Sequence, residues 1–337
     1  MAEHLGLSIA TVSRAINRRP GVAERTIERV EAAVRELGFS PRLAARQLQG
    51  VQSRSISLLF PTDGASVEAY DLDFVLGAAT ATGERDYFFN LHLEQLGPDD
   101  LLRMYRSGLV DGVVLLQVTL EDWRVDLLQE HSLPFTMVGR TRDPEPTTYV
   151  DVDFDRAVGI AVDHLASLGH RTVGLLGRPS SQVRAGLGSA VRFETAFLAA
   201  CDASDVVPLL VPSGLDRTSA AQALQRLHAN DPAPTALITT HGQGTAAALR
   251  WARERGLGIP TDLSLIAIGT DRLLDLLDPV PSMVAFPASD LGYRAAAMLI
   301  ERIEDGRSSG PLPPEHLLLP VELTLRGTTA PPAARST

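Results

Sequence analysis

The chain has 337 residues, 45% of them hydrophobic, and carries 41 acidic against 31 basic side chains for a formal charge of -10. That length holds two or three domains with ample core, and the single Cys201 excludes an intrachain disulfide framework. No apolar run approaches a membrane span and the first residues lack a signal-peptide pattern, so the expected location is a reducing cytoplasm without membrane contact. The charge is uneven. Residues 1–54 hold nine arginines against five glutamates, a balance of +4, which leaves -14 for the remainder. A basic head on an acidic body concentrates phosphate affinity in the head.

In chain order, residues 2–5 read as the end of a first helix, and Gly6 permits a tight turn with φ > 0. Ser8 is placed to cap the next helix through its hydroxyl. Along that helix Ala10, Val12 and Ile16 are expected to face inward, while Ile9, Thr11, Ser13, Arg14 and Asn17 face out. Small, hydroxyl and amide side chains with one arginine suit a major-groove reader. A basic turn ending in Pro20-Gly21 leads to a helix over 23–37, with Ile27, Val30, Val34 and Leu37 at helical spacing and Gly38 as its stop. Ser40, Pro41 and Gly50 then frame a short fourth helix. At about nine residues it is too short to be stable alone, so it is expected to order only against a partner.

Residues 2–60 resemble the DNA-binding headpiece and hinge of the LacI/GalR family of bacterial transcription regulators. The residues that carry the resemblance are Gly6-Leu7-Ser8, Thr11 to Asn17, Pro20-Gly21-Val22, Leu37 to Pro41, Ala44-Ala45-Arg46 and Leu48. The resemblance implies a homodimer on near-palindromic double-stranded operator DNA, with paired hinge helices in the minor groove and a leucine, here Leu48, wedged into a central base step. Such a wedge costs a few kcal/mol of unstacking, offset by the wider contact that bent DNA allows. The implied DNA-binding set is Ser8, Ile9, Ala10, Thr11, Ser13, Arg14, Asn17, Arg46 and Leu48. Ile9 and Ala10 can only meet apolar groups such as thymine methyls, and Arg14 can bind guanine bidentately. Thr11, Ser13 and Asn17 are expected on phosphates. In the family helix 1 starts several residues earlier, so this chain is expected to begin inside it, with a start codon upstream of Met1 or a truncation as the explanation.

From Ser55 the periodicity changes. Strands are expected over 55–60, 87–93, 112–116 and 135–138, alternating with helices over 74–83, 99–107 and 122–131. The alternation restarts with strands over 149–152, 173–176, 207–211, 236–239 and 263–268 and helices over 156–168, 190–201, 219–227 and 245–255. A long helix over 289–304 and a strand over 317–325 come last. Such alternation argues for parallel sheets covered on both faces. The family resemblance implies the full architecture: an all-α helix-turn-helix headpiece followed by a two-lobed α/β periplasmic-binding-protein-like domain, parallel sheets flanked by helices. The headpiece spans 1–39, the hinge helix and linker 40–54, and the effector and dimerisation domain 55–330. Lobe 1 takes about 55–152 and 285–314, and lobe 2 about 153–283 and 315–328. The chain is expected to cross between the lobes near 151–155, 281–286 and 314–318, and 331–337 form a disordered tail.

In this architecture a small molecule binds between the lobes, at the carboxyl ends of strands. The effector-binding candidates are Asp71 and Phe74 (with Tyr70) after the first strand, Arg140, Arg192, His241, Asp271 and Phe286. Arg192 matches, within about one position, the family arginine that grips ligand oxygens. Asp153 or Asp155 is assigned to capping the helix over 156–168. The chain departs from the family pattern at His241-Gly242, at Ala267 to Thr270 and at Phe286-Pro287, where the family usually offers acids, amides and a glutamine. Unpaired buried hydroxyls cost about 1–3 kcal/mol each. The effector is therefore expected to be less hydroxylated than a free hexose, or a sugar held differently, with Phe286 as a stacking face.

No Gly-x-Ser-x-Gly elbow, P-loop or metal-spaced His/Cys cluster is present, and Gly186-Leu187-Gly188 lacks the third glycine of a dinucleotide motif. No enzyme activity, catalytic residue, metal site or cofactor is expected. The leading function is a transcriptional regulator, as a repressor, responding to a sugar or related metabolite. The alternative is a solute-binding protein of the same two-lobed fold without DNA-binding activity.

Overall fold

The computed structural model describes residues 5–16, 22–36, 53–62, 71–270, 274–309 and 312–333. The headpiece contributes α1 (Ile9–Ile16) and α2 (Glu24–Glu36). Gly6 has φ +63°, and the Ser8 hydroxyl accepts from the Thr11 amide at 3.1 Å, which starts α1. Val12 and Ala15 of α1 and Ile27 and Val30 of α2 form a small core with Leu5, Leu7 and Val22 against it. Ala15, not among the positions expected to face inward, is buried on α1 beside Val12. Asn17, Arg46, Leu48 and the whole segment 37–52 lie outside the described residues, as do Tyr70 and Asp271.

Lobe 1 is a six-stranded parallel sheet. It comprises β1 (Ser55–Leu59), β2 (Phe88–His92), β3 (Gly112–Leu115), β4 (Phe135–Val138), β5 (Tyr149–Val152) and β11 (His316–Leu319), in the order β11-β5-β4-β3-β1-β2. Every residue of β1, β3 and β5 is buried, as a parallel strand covered on both faces requires. The helices α3 (Asp71–Gly83), α4 (Pro98–Arg106), α5 (Trp123–Glu130) and α11 (Ala288–Ser309) cover it. A Cβ on Gly77 would overlap the Ser289 carbonyl, and one on Gly292 the Phe74 carbonyl. The missing side chains let α3 and α11 touch backbone to backbone.

Lobe 2 contains β6 (Thr172–Gly177), β7 (Val207–Pro212), β8 (Ala236–Thr239), β9 (Ser264–Gly269), β10 (Ser282–Ala285) and β12 (Leu323–Thr324). Their order is β12-β10-β9-β8-β6-β7, parallel except for the antiparallel pair β10–β12. Its helices are α6 (Phe154–Ser167), α7 (Ser180–Arg184), α8 (Gly188–Ala203), α9 (Arg217–His228) and α10 (Gly242–Glu254), with a 3-10 turn at Leu274–Leu276. Asp153 caps α6, its Oδ1 accepting from the Arg156 amide at 2.9 Å. Ala157, Val158, Ala161, Val162 and Leu165 then bury one face at helical spacing.

One expectation is corrected. The strand read over 317–325 is two strands on two sheets: β11 pairs with β5 in lobe 1, and β12 with β10 in lobe 2. Residues 316–319 therefore belong to lobe 1, and the third crossing lies between Leu319 and Leu323. Pro320 has no amide to donate, so the ladder of β11 cannot run through it. The other crossings follow β5 and β10.

Beyond β12 the chain is fastened to lobe 2 by side chains. His170 meets Thr235 Oγ1 at 2.8 Å, Ser264 Oγ at 3.1 Å and the Ala330 carbonyl at 3.0 Å. The Thr328 hydroxyl donates to the Leu265 carbonyl at 2.7 Å. The Leu168 to Arg171 stretch is thus scaffold, with His170 as the staple.

Candidate functional site

A cavity of about 410 Å³ lies between the lobes. Its walls come from the residues just after strands: Leu116 and Gln117 after β3, Thr240 and His241 after β8, Thr270 after β9 and Phe286 after β10. This is where an α/β sheet leaves room for a ligand. Phe286, Phe193 and Phe154 form an aromatic cluster along it. Phe286 stacks on Phe193 at 5.8 Å and 29°, and Phe154 meets both edge-on at 5.0 and 5.8 Å.

Of the effector candidates, Phe74, Arg192, His241 and Phe286 line the cavity. Asp71 is the first residue of α3. Arg140 is not part of the lining; only its neighbour Gly139 is. Its Nε lies 3.3 Å from Asp151 Oδ2, and its guanidinium sits 6.0 Å from the Tyr149 ring centroid.

His241 caps α10: its Nδ1 accepts from the Gly244 amide at 3.0 Å. That bond needs a neutral ring with its proton on Nε2. Burial, with help from the Arg178 charge, pushes the pKa of His241 down to about 3. The imidazole therefore does the capping that an asparagine would do at this position.

Arg192 Nη2 donates to the carbonyls of Arg140 at 2.9 Å and Thr141 at 3.0 Å, tying α8 of lobe 2 to the end of β4 in lobe 1. Burial lowers its pKa, opposed by the Asp151 charge. A second tie lies alongside. The Gly188 amide donates to the Val118 carbonyl at 2.9 Å, the Leu120 amide to the Gly186 carbonyl at 2.7 Å, and Thr119 and Leu187 pair as an antiparallel bridge. The Gly186-Leu187-Gly188 stretch thus closes the lobes. A Cβ on Gly188 would crowd Arg192 Nη1 at 2.7 Å and the Val118 carbonyl at 3.1 Å. The lobe 1 side is stiffened by the buried Asp122–Arg124 pair, whose Nη2–Oδ2 distance is 2.7 Å. Burial would raise the Asp122 pKa, but Arg124 holds it below the ordinary carboxylate value.

Sequence reasoning missed Asp151, which lines the cavity from β5 with 4% of its surface exposed. Its Oδ1 accepts from the Val152 amide at 2.8 Å, while Oδ2 accepts no hydrogen bond. Burial pushes its pKa up to about 6, against the pull of the Val152 amide, Arg192 and Arg140. The available signal was a carboxylate in an otherwise apolar strand, Tyr149-Val150-Asp151-Val152. Arg178, Phe154 and Phe193 are further lining residues absent from the sequence-based set.

In the headpiece, Arg14 is exposed on α1 and Thr11 is half-buried, its Oγ1 2.8 Å from Ser8 Oγ. Ile9, Ala10 and Ser13 belong to α1. Cys201 is buried, and burial raises its thiol to about 12, so it has no thiolate chemistry near neutral pH. Among the described residues no group of three or more His, Cys, Asp or Glu side chains could hold a metal ion, and no helix is long and apolar enough to cross a membrane.

A small helical head joined to a two-lobed α/β body with an interlobe cavity defines a ligand-responsive DNA-binding regulator. Residues 1–42 match the model of bacterial regulatory proteins of the lacI family, and residues 162–329 that of the periplasmic binding protein-like domain. The chain is 32% identical to the HTH-type transcriptional regulator AglR of Rhizobium meliloti (strain 1021), over 100% of this chain and 95% of that protein. The solved transcriptional regulator CelR–cellobiose complex is 25% identical, with a TM-score of 0.70 over 97% of this chain and 98% of that one. The Lac repressor dimer bound to operator and an anti-inducer shares the fold, at 22% identity and a TM-score of 0.73 over 98% of this chain and 97% of its own. The chain belongs to the LacI family of bacterial transcriptional regulators. These relatives are regulators, not enzymes.

Proposed function

We propose that this chain is a cytoplasmic repressor that binds a near-palindromic operator as a homodimer and is switched by a sugar or related metabolite in the interlobe cavity. The observation that carries this reading is the cavity itself: it is bounded by both lobes, which touch through Arg192 and the 118–120 and 186–188 segments. A ligand there has different contacts in each lobe arrangement, which is what switching requires. The cellobiose bound by the structural relative supports a carbohydrate, and about 410 Å³ is room of the right order for one.

On this reading Phe74, Arg192, His241 and Phe286 bound the effector, with Asp71 and Asp271 as further candidates. Ser8, Ile9, Ala10, Thr11, Ser13, Arg14 and Asn17 face the DNA from the headpiece, with Arg14 on guanine and Thr11, Ser13 and Asn17 on phosphates. Arg46 and Leu48 face it from the hinge, with Leu48 in the minor groove. The domain division is a headpiece over 1–39, a hinge over 40–54 and an effector domain from 55, with 316–319 in lobe 1. A second copy is seated on one apolar face of lobe 1. Leu72 and Leu76 of α3 are 51% and 49% exposed, and Phe88 on the edge strand β2 is 72% exposed. Uncovered edges with large apolar side chains call for a partner, and paired hinges need two copies. The test is fluorescence anisotropy on operator DNA selected from a random library, titrated with a panel of sugars and metabolites. Operator release by a sugar is expected; no selected sequence, or no response to the panel, refutes the reading.

A further inference from the structure

Asp151 holds the one carboxylate among the described residues that line the cavity. It reaches the cavity from β5, the strand that leads into the first crossing. Oδ1 is committed to the Val152 amide at 2.8 Å. Oδ2 has the charge of Arg140 at 3.3 Å but no hydrogen bond. A buried carboxylate oxygen without a donor is costly, and such groups are normally satisfied by protein, water or ligand. A ligand that completes this site must bring a donor. The donor is a neutral hydroxyl rather than an ammonium, because Arg178 and Arg192 also line the cavity and would repel a cation.

The apolar part of the wall fits the same ligand. Phe154, Phe193 and Phe286 offer an aromatic surface of the kind that packs against the C–H face of a pyranose. Within the sugar reading above, on which this rests, we infer that Asp151 is a specificity-determining residue that accepts hydroxyl protons of the effector through Oδ2. Among the described residues the carboxylate comes from the crossover strand, and not from His241-Gly242 or Gly269-Thr270 of lobe 2. The effector is then a polyhydroxylated sugar held differently, rather than one with few hydroxyls.

The test is calorimetry on the full-length wild-type and Asp151→Asn proteins with glucose, cellobiose, maltose and trehalose. It is repeated with monodeoxy analogues of whichever sugar binds best. Asparagine keeps the size and the acceptor for Val152; Asp151→Ser is the second variant, and thermal melting and operator binding without ligand report that each is folded. Hydrogen bonds to a charged group are worth about 1.5–3 kcal/mol, so the expected loss of sugar affinity is about 10- to 100-fold. One deoxy analogue should bind the wild type and Asp151→Asn equally, because the hydroxyl that Asp151 reads is already gone. A variant that binds the parent sugar as the wild type does overturns the proposal, as does a loss that is the same for every deoxy analogue, the mark of a structural role. Wild-type protein that binds none of the four sugars overturns the sugar reading itself, an outcome visible before any variant is made.

Discussion

The bare α-carbon of Gly292 rests on the carbonyl of Phe74. This contact belongs to the close approach of α3 and α11, and Phe74 is also a wall of the interlobe cavity. A methyl group at residue 292 has no room, and overpacking of this kind costs about 1–3 kcal/mol. Gly292→Ala is therefore expected to lower the melting temperature by several degrees and to weaken effector binding by displacing Phe74. Gly77→Ala, one turn away on the opposite helix, should cost a similar amount of stability. An unchanged melting curve for both would show that the helices separate without penalty.

Arg192 joins the lobes through two carbonyls. Replacing it with methionine keeps much of the stem and removes both donors. Effector affinity is expected to fall at least about 10-fold, since charged hydrogen bonds contribute about 1.5–3 kcal/mol. Calorimetry is the measurement, and an affinity within a factor of two of wild type would deny Arg192 a part in the closed cleft.

His241 makes stability depend on pH in a defined direction. Its folded pKa, about 3, lies below the ordinary histidine value of 6.5, so the unfolded chain binds the extra proton between those limits. Stability from the neutral cap is full above pH 6.5 and is lost as pH falls toward 3. His241→Asn keeps a capping acceptor without a titrating ring. Urea unfolding at pH 7 and pH 5 should therefore show a smaller loss in the variant than in the wild type, by an amount on the order of 1–3 kcal/mol. Equal losses would mean that the imidazole is not held neutral.

Phe88 and Leu76 lie on the face assigned to the second copy. A Phe88→Glu substitution adds a charge where an apolar contact is expected, so the protein should elute as a monomer in size-exclusion chromatography. Operator affinity should fall in step, because the two headpieces are no longer held at a fixed spacing. A dimeric Phe88→Glu protein would move the interface elsewhere.

Arg14 is the residue of α1 that can bind a guanine edge bidentately. Arg14→Ala is expected to relax the preference for one base pair in each half-site by about 1–3 kcal/mol. Binding-site selection reads this directly; an unchanged consensus would assign Arg14 to the backbone.

Much of the body was legible because buried parallel strands such as β1 and β3 are short apolar runs between helical patterns. Gly6, Ser8 and Asp153 were legible because each does a local job, a turn or a cap, that depends on its immediate neighbours. The split of 317–325 was not, since the apolar pattern runs on while the chain changes sheets; only Pro320 marks the break. Arg140 and Asp151 were exchanged for the same reason. Which of two charged residues at strand ends faces a cavity is decided by the packing between lobes, and that is absent from the local sequence. His241 reads as an effector candidate in the sequence; in the structure it lines the cavity and also caps α10, a role that its neighbours alone do not announce.

The chain passes between lobes after β5, after β10 and after β11. The first and third passages leave neighbouring strands of lobe 1, and the second and third touch neighbouring strands of lobe 2. Three tethers attached side by side behave like a strap hinge: they resist pulling apart and sliding, and leave one soft turning motion. Whatever occupies the cavity can therefore set only an angle. The distance over which that angle is felt grows with separation from the strap, so a sub-ångström change at the cleft becomes a larger displacement at the outer ends of the lobes.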